Sequence, residues 1–171
     1  MAAAVMAYLR LLDSARALGP KIAIELHGMP ALTEIPDFHA RIKDLPNVTF
    51  HGRYRSPEDL SRIYSGLDVV WAGDFMEADY NSLWLLPNRL YEGGYYAVPP
   101  IAPAGTQTAA WADAHGVGFA LPEDLATTLP RLLEQLIADR SPIIARRARS
   151  LALPASTFVA ERGELAAIIA S

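Results

Sequence analysis

Apolar positions along the chain fall into two alternating patterns: stripes at helical spacing, and short continuous runs bounded by Gly, Pro or Asn. Val5, Leu9, Leu12 and Ala15 make the first stripe, with Arg10, Asp13 and Arg16 off it, and Gly19-Pro20 ends that helix. Ile22 to Leu26 then reads as a buried strand, closed by the loop Gly28-Met-Pro30. Phe38 to Leu45 predicts a short amphipathic helix, and Val48-Thr-Phe50, before His51-Gly52, a second strand. Ser56-Pro57-Glu58-Asp59 has the form of a helix start, with Ser56 as N-cap and Pro57 at the first helical position. Leu60, Ile63 and Tyr64 would then face the core, with Gly66 as the stop. Leu67 to Ala72 predicts a third strand, followed by an acidic loop from Gly73 to about Leu86. A helix from Pro87 or Asn88 to Ala97 leads into Pro99-Pro-Ile-Ala-Pro103, whose prolines restrict it to a short strand or a sheet edge. Residues 107–114 predict a helix and Gly118 to Leu121 a last short strand. Residues 123–138 predict a helix with Leu125, Leu129, Leu132, Leu133 and Leu136 on its apolar face, and 141–151 and 158–170 two more. Strands alternating with helices throughout mean an α/β domain, a parallel sheet covered on both faces.

Composition narrows the picture. The 171 residues make one domain, long enough to bury roughly 70% of the surface of the unfolded chain without staples. Fifteen Lys and Arg stand against 19 Asp and Glu, for a net charge of -4 and no basic run, which argues against a nucleic-acid partner. There is no Cys, so disulfides, thiolate metal sites and cysteine nucleophiles are excluded. Every apolar run is interrupted well before the 18 or so residues of a membrane span. The start, Met1 to Arg10, lacks the basic region of a signal peptide, so a cytoplasmic location is the default expectation.

In an open parallel sheet, ligands bind outside the carboxyl ends of the strands. The loops to search are therefore Gly28 to Pro30, Gly52 to Tyr54, Gly73 to Leu86 and Pro103 to Thr108. Taken in order, Val48-Thr-Phe-His-Gly52, Ser56-Pro-Glu-Asp-Leu60 with Tyr64, Leu67-Asp-Val-Val70, Asn88-Arg-Leu-Tyr-Glu92 and Pro99-Pro-Ile101 resemble the donor-binding half of glycosyltransferase family 4. The segment Asn88 to Ile101 is the best single match, and the resemblance extends from about residue 2 to 171. It implies a Rossmann-like sheet with helices on both faces, one half of a two-domain, retaining, B-fold sugar-nucleotide transferase. It implies too that the N-terminal acceptor domain lies outside residues 1–171, together with the first strand and Gly-rich loop of the donor half itself.

The resemblance assigns roles residue by residue. Glu92 matches the second Glu of the family's paired-Glu motif and would accept the ribose hydroxyls, chemistry that suits an acceptor-only carboxylate. On its residues alone, Glu92 is equally a surface carboxylate in the first turns of a helix, paired with Arg89. Arg89 would offer bidentate donors to a donor phosphate, or serve in that same ion pair, and Asn88 would add amide donors beside it. Gly52, Arg53 and Tyr54 occupy the loop that passes the nucleobase, with Gly28 in the loop beside it. Gly105 and Thr106 stand where the family holds the sugar or phosphate, although a Gly-Thr turn capping a helix explains them as well. The first motif Glu should stand eight positions before Glu92, and that position is Trp84, a departure that touches catalysis rather than nucleotide binding. Glu77 and Asp79, with Asp74 near them, are the substitute acids in the preceding loop. Gly93-Gly94 inside a helix, costly by about 1 kcal/mol each relative to Ala, require a close neighbour, and Tyr95 and Tyr96 read as packing residues.

The four His residues, 27, 39, 51 and 115, show no metal-ligand spacing and no triad partner. The acidic loop lacks calcium-loop spacing, so no metal and no cofactor are expected beyond a UDP- or GDP-linked donor. The activity implied is sugar transfer in bacterial surface polysaccharide or glycolipid synthesis, by a full-length enzyme for which peripheral membrane association stays open, while the chain alone would bind rather than turn over. A B-fold sugar-nucleotide epimerase and a non-catalytic interaction domain are the alternatives.

Overall fold

The structure of the chain, a computed structural model, describes residues 3–73, 86–122 and 124–158. Among these, five strands alternate with helices as the periodicity predicts. Helix α1 (Ala3–Leu18) ends in a tight turn at Gly19–Lys21 and leads into β1 (Ile24–His27), then α2 (Phe38–Lys43) into β2 (Val48–Gly52). Helix α3 (Leu60–Tyr64) precedes β3 (Val70–Trp71), α4 (Asn88–Tyr95) precedes β4 (Pro100–Pro103), and α5 (Gln107–His115) precedes β5 (Phe119–Leu121). Two helices, α6 (Leu125–Ala138) and α7 (Ser141–Ala152), follow the last strand. The helix expected over 158–170 and the acidic loop residues Asp74, Glu77, Asp79 and Trp84 lie outside the described residues.

All paired strands are parallel, in two groups: β1–β2, and β3–β4–β5 in that order. Helices cover both faces. Ile24, Leu26 and Val48 pack against Leu12 and Ala15 of α1. Ile101, Phe119 and Leu121 pack against Leu129 and Leu136 of α6 and Ile143 of α7. On the opposite side, Val70 meets Leu60, Ile63 and Tyr64 of α3 and the buried Val98. Arg140 and Arg147 of α7 both reach Asp68, and Arg147 also donates to the carbonyl of Leu67, fastening that helix to the entry of β3. No helix among the described residues is long and apolar enough to cross a membrane.

Two expectations are corrected, and a third is narrowed to one of its alternatives. The helix expected to start at Ser56 begins at Leu60, and the Asp59 carboxylate turns back to accept from the Arg55 backbone N–H at 2.8 Å. Of the two alternatives for the proline-rich run, the short strand holds: β4 is four residues long and lies between β3 and β5, with Pro100 and Pro103 at its two ends, so the ladder lacks a donor only there. Its carbonyls meet β3 and the residue after it through Val70 N–H to Pro99 O at 3.0 Å and Ala72 N–H to Ile101 O at 2.9 Å. Strand β3 is two residues long, not six, because it is paired on the β4 side alone. Its other side faces β1 across an apolar cavity of about 360 Å³, lined by residues 21–26 and 66–71 and floored by Leu129, Leu133 and Leu136.

The glycine pair in α4 has the close neighbours it requires. A side-chain carbon at Gly93 would stand 2.8 Å from Val70 Cγ1, and one at Gly94 would stand 2.2 Å from the ring of Phe158. Tyr96 stacks on Tyr64 and Tyr95 meets Tyr96 edge-on, so this pair packs, although Tyr95 is half exposed.

Candidate nucleotide-binding cleft

The loops that leave the carboxyl ends of β1 and β2 are tied together by the Gly28 N–H, which donates to Gly52 O at 2.8 Å. Both glycines have positive φ, 121° and 72°, and a side-chain carbon at either would meet nothing within 4 Å. Positive φ explains why glycine stands there, and the open space lets another molecule approach the backbone. A second cavity, of about 270 Å³, opens at this end of the strands and is lined by Gly28, Tyr54, Tyr64 and Arg89, with Tyr8 and Phe50 on its other side. Burial pushes the Tyr8 hydroxyl up to about 12, and that hydroxyl has no hydrogen-bond partner among the described residues.

Helix α4 brings the two charged candidates to the cleft. Glu92 is partly buried and accepts from the Tyr64 hydroxyl at 2.8 Å. Burial first, then that bond and the carboxylate's charge, hold the Tyr64 hydroxyl far above its ordinary range, so it acts as a fixed donor. Burial, with the charge of Glu92 adding to it and Arg89 opposing, raises Tyr54 as well, which locates Tyr54, Arg89 and Glu92 within one electrostatic neighbourhood. Arg89 donates from Nη2 to Gly73 O at 3.2 Å, which anchors the guanidinium at the carboxyl end of β3. The Arg89–Glu92 ion pair allowed by their spacing is not among the ion pairs of the described residues. Asn88 is exposed at the start of α4 and Arg53 is exposed beyond Gly52.

Gly105 and Thr106 stand apart from this cavity. Thr106 caps α5: its hydroxyl accepts from the Ala109 N–H at 3.1 Å and donates to Pro103 O at 2.8 Å. Both roles of the hydroxyl are taken by backbone, so the helix-cap explanation holds for its side chain. Gly105, with φ of 82° and open space above it, supplies the turn.

The sequence reading missed two features. Tyr64 was expected only to face the core, yet it positions Glu92. His27 and His51, given no partners by their spacing in the chain, are stacked with ring centroids 4.5 Å apart, and His51 Nε2 contacts the Glu25 carboxylate. The signal was present as two polar positions on one face of β1, Glu25 and His27, and a His in the strand that follows; strand alternation places them together once β1 and β2 pair in parallel.

No protein-family model matches the chain. Among curated proteins, the succinoglycan biosynthesis protein ExoL of Rhizobium meliloti is 41% identical over 140 residues, covering 80% of this chain and 35% of ExoL. The chain thus spans about a third of the length of the curated relative it matches. Among solved structures, HepE of Anabaena in complex with UDP and glucose superposes with a TM-score of 0.70 at 18% identity, over 95% of this chain and 44% of HepE. Sucrose-phosphate synthase of Thermosynechococcus elongatus gives 0.65 at 21% identity, over 95% of this chain and 42% of the synthase. These likenesses establish the fold: a parallel α/β domain of the kind that forms one half of B-fold glycosyltransferases.

Proposed function

We propose that the chain is the donor-binding half of a retaining glycosyltransferase of family 4 type that builds a bacterial surface polysaccharide from a UDP-linked sugar. The observation that carries this reading is the cleft at the carboxyl ends of β1 to β3. There Gly28, Tyr54, Tyr64 and Arg89 line one cavity, Gly28 is tied to the open, positive-φ Gly52, and Tyr64 donates to Glu92. Kinship with a succinoglycan biosynthesis protein supports the pathway class, and the fold shared with a protein that binds UDP favours UDP over GDP.

In this reading the base lies along Gly28 and Gly52 to Tyr54, reading backbone groups. The ribose hydroxyls donate to Glu92, whose rotamer Tyr64 holds in advance. Arg89, with Asn88 beside it, faces the diphosphate, and the Gly105 turn borders the sugar. Transfer breaks the bond from the anomeric carbon to the diphosphate oxygen and forms one to the acceptor hydroxyl on the same face. The acceptor proton passes to the leaving phosphate. The chain's share is positioning and stabilisation of the departing charge. The acceptor half belongs to the longer protein, and the apolar cavity between β1 and β3 has the place and lining for one further parallel strand of the donor half.

Calorimetric titration with UDP, GDP, ADP and their sugar conjugates tests this, repeated on Glu92→Gln. Saturable binding of the uridine series that weakens about tenfold or more in the variant, about 1.4 kcal/mol, is the expected result. Equal binding by Glu92→Gln removes the ribose role. Failure of the longer protein to transfer sugar from any labelled nucleotide-sugar overturns the reading as a whole.

A further inference from the structure

The carboxyl end of the β1–β2 pair carries a group of side chains to which the proposed nucleotide site gives no role, although Glu25 and His27 line the same cavity. Glu25 and His27 project from one face of β1, and the β1–β2 register shifts by one between Leu26 and His27. Leu26 is opposite Phe50 and His27 is opposite Gly52, so His51 is the extra residue, a bulge that leans its ring toward β1. The result brings one ligand atom from each of Glu25, His27 and His51 within 4.8 Å of the others. The two imidazoles lie nearly parallel, 6° apart.

Among the described residues no hydrogen bond occupies either ring nitrogen of His27, which leaves a lone pair on offer. Two imidazole nitrogens and one carboxylate oxygen suit a borderline divalent transition metal rather than Mg²⁺ or Ca²⁺, which take oxygen ligands. Ligand bonds of about 2.0–2.2 Å require the three atoms to close to roughly 3.3 Å, a side-chain rotation that these partly exposed positions permit.

We propose that Glu25, His27 and His51 form a site for a divalent metal of the zinc class. Three protein ligands would leave a fourth position for solvent, and the Tyr54 ring lies near, edge-on to His27 at 6.4 Å. A metal here cross-links the carboxyl ends of β1 and β2, from which the Gly28 and Gly52 loops depart. This inference does not rest on the sugar-nucleotide reading and stands if that reading fails.

The test is calorimetric titration of chelator-treated protein with Zn²⁺ alone, with Co²⁺ as a spectroscopic probe and Mg²⁺ as a control. One saturable Zn²⁺ per chain is expected, with a Co²⁺ visible spectrum typical of nitrogen and oxygen ligation and no response to Mg²⁺. His27→Ala and His51→Ala each weaken Zn²⁺ at least about tenfold, and Glu25→Gln weakens it as well. His39→Ala and His115→Ala, which alter the other two histidines, leave it unchanged. Folding of each variant is checked by circular dichroism, and Zn²⁺ raises the Tm of the wild type but not of the His27→Ala/His51→Ala double variant. Absence of saturable Zn²⁺ binding, or binding that survives both His27→Ala and His51→Ala, overturns the proposal and leaves Glu25 and His51 as an ion pair only.

Discussion

Substituting Gly94 by Ala sets two known effects against each other. Helix propensity alone makes the change favourable by up to about 1 kcal/mol. An ideal side-chain carbon at Gly94, however, would lie 2.2 Å from Cε1 and 2.3 Å from Cδ1 of Phe158, where carbon atoms rest at about 3.5–4.0 Å. The ring has to retreat by more than about 1 Å to restore that spacing. Phe158 is buried at 6% exposure and sits edge-on to Trp111, which is itself stacked on His115 and edge-on to Tyr91. Retreat therefore disturbs a chain of rings, and overpacking of this severity costs toward the upper end of about 1–3 kcal/mol. The net expectation is a loss of about 2 kcal/mol, a fall in Tm of about 4–8 °C for a domain of this size. Thermal and urea unfolding of Gly94→Ala, Phe158→Leu and the double variant measure it. The smaller side chain in Phe158→Leu makes room, so the double variant is expected to be more stable than the sum of the singles by at least about 0.5 kcal/mol. A rise in Tm for Gly94→Ala, or strict additivity in the cycle, refutes the packing argument and with it the seat assigned to α4.

Two further outcomes follow from hydrogen bonds in and near the cleft. Tyr64→Phe keeps the ring stacked on Tyr96 but removes the donor to Glu92; a bond to a charged group is worth about 1.5–3 kcal/mol, and partial exposure of the carboxylate places the loss in unfolding free energy near the lower figure. Nucleotide affinity measured on the same variant falls too, because Glu92 is no longer held in one rotamer; unchanged affinity separates Tyr64 from the site. Thr106→Ala removes the α5 cap and costs about 1–2 kcal/mol in chemical unfolding, while Thr106→Ser retains the cap and most of the stability. Affinity for the nucleotide-sugar stays within about twofold in Thr106→Ala if the hydroxyl only caps the helix, and a larger loss shows that it also reaches the ligand.

Much of the architecture was legible because each element carried its own local signal. Gly19-Pro20 stopping α1, the Leu stripe of α6 and the buried runs around β1 and β2 all act through nearest neighbours in sequence. The departures arose where partners outside the motif decided. Asp59 accepts from the Arg55 backbone N–H, four residues away, and α3 begins only at Leu60. Pro100 and Pro103 left a short strand and an edge both open, and the choice depends on β3 and β5. The candidate site divides in the same way. Glycines at 28, 52 and 105 announced turns with positive φ by their position after strands. The partners of Glu92, Arg89, Thr106 and His51 are separated from them by 28, 16, 3 and 26 residues respectively. Of these, only the cap at Thr106 was within reach of a local reading.

The division of the sheet bears directly on what the cleft can bind. Strands β1 and β3 are not paired with each other, and residues of both line an apolar cavity. A right-handed crossover through α1 leads back from β1 to this slot, so a parallel strand joined to the start of α1 would fill it with the handedness that nearly all such units have. Filling it adds a ladder on both sides, lengthens β3 beyond Val70 and Trp71, and fixes the distance between the Gly28 and Gly52 loops on one side and Arg89 and Glu92 on the other. The two halves of the proposed nucleotide site are carried by the two sheet fragments. Were such a strand present in the longer protein, their relative position, and with it the affinity of the proposed cleft, would depend on it. Binding measured on residues 1–171 alone is on this argument a lower bound for the longer protein, because the pre-organisation that the strand supplies would otherwise be drawn from the binding free energy.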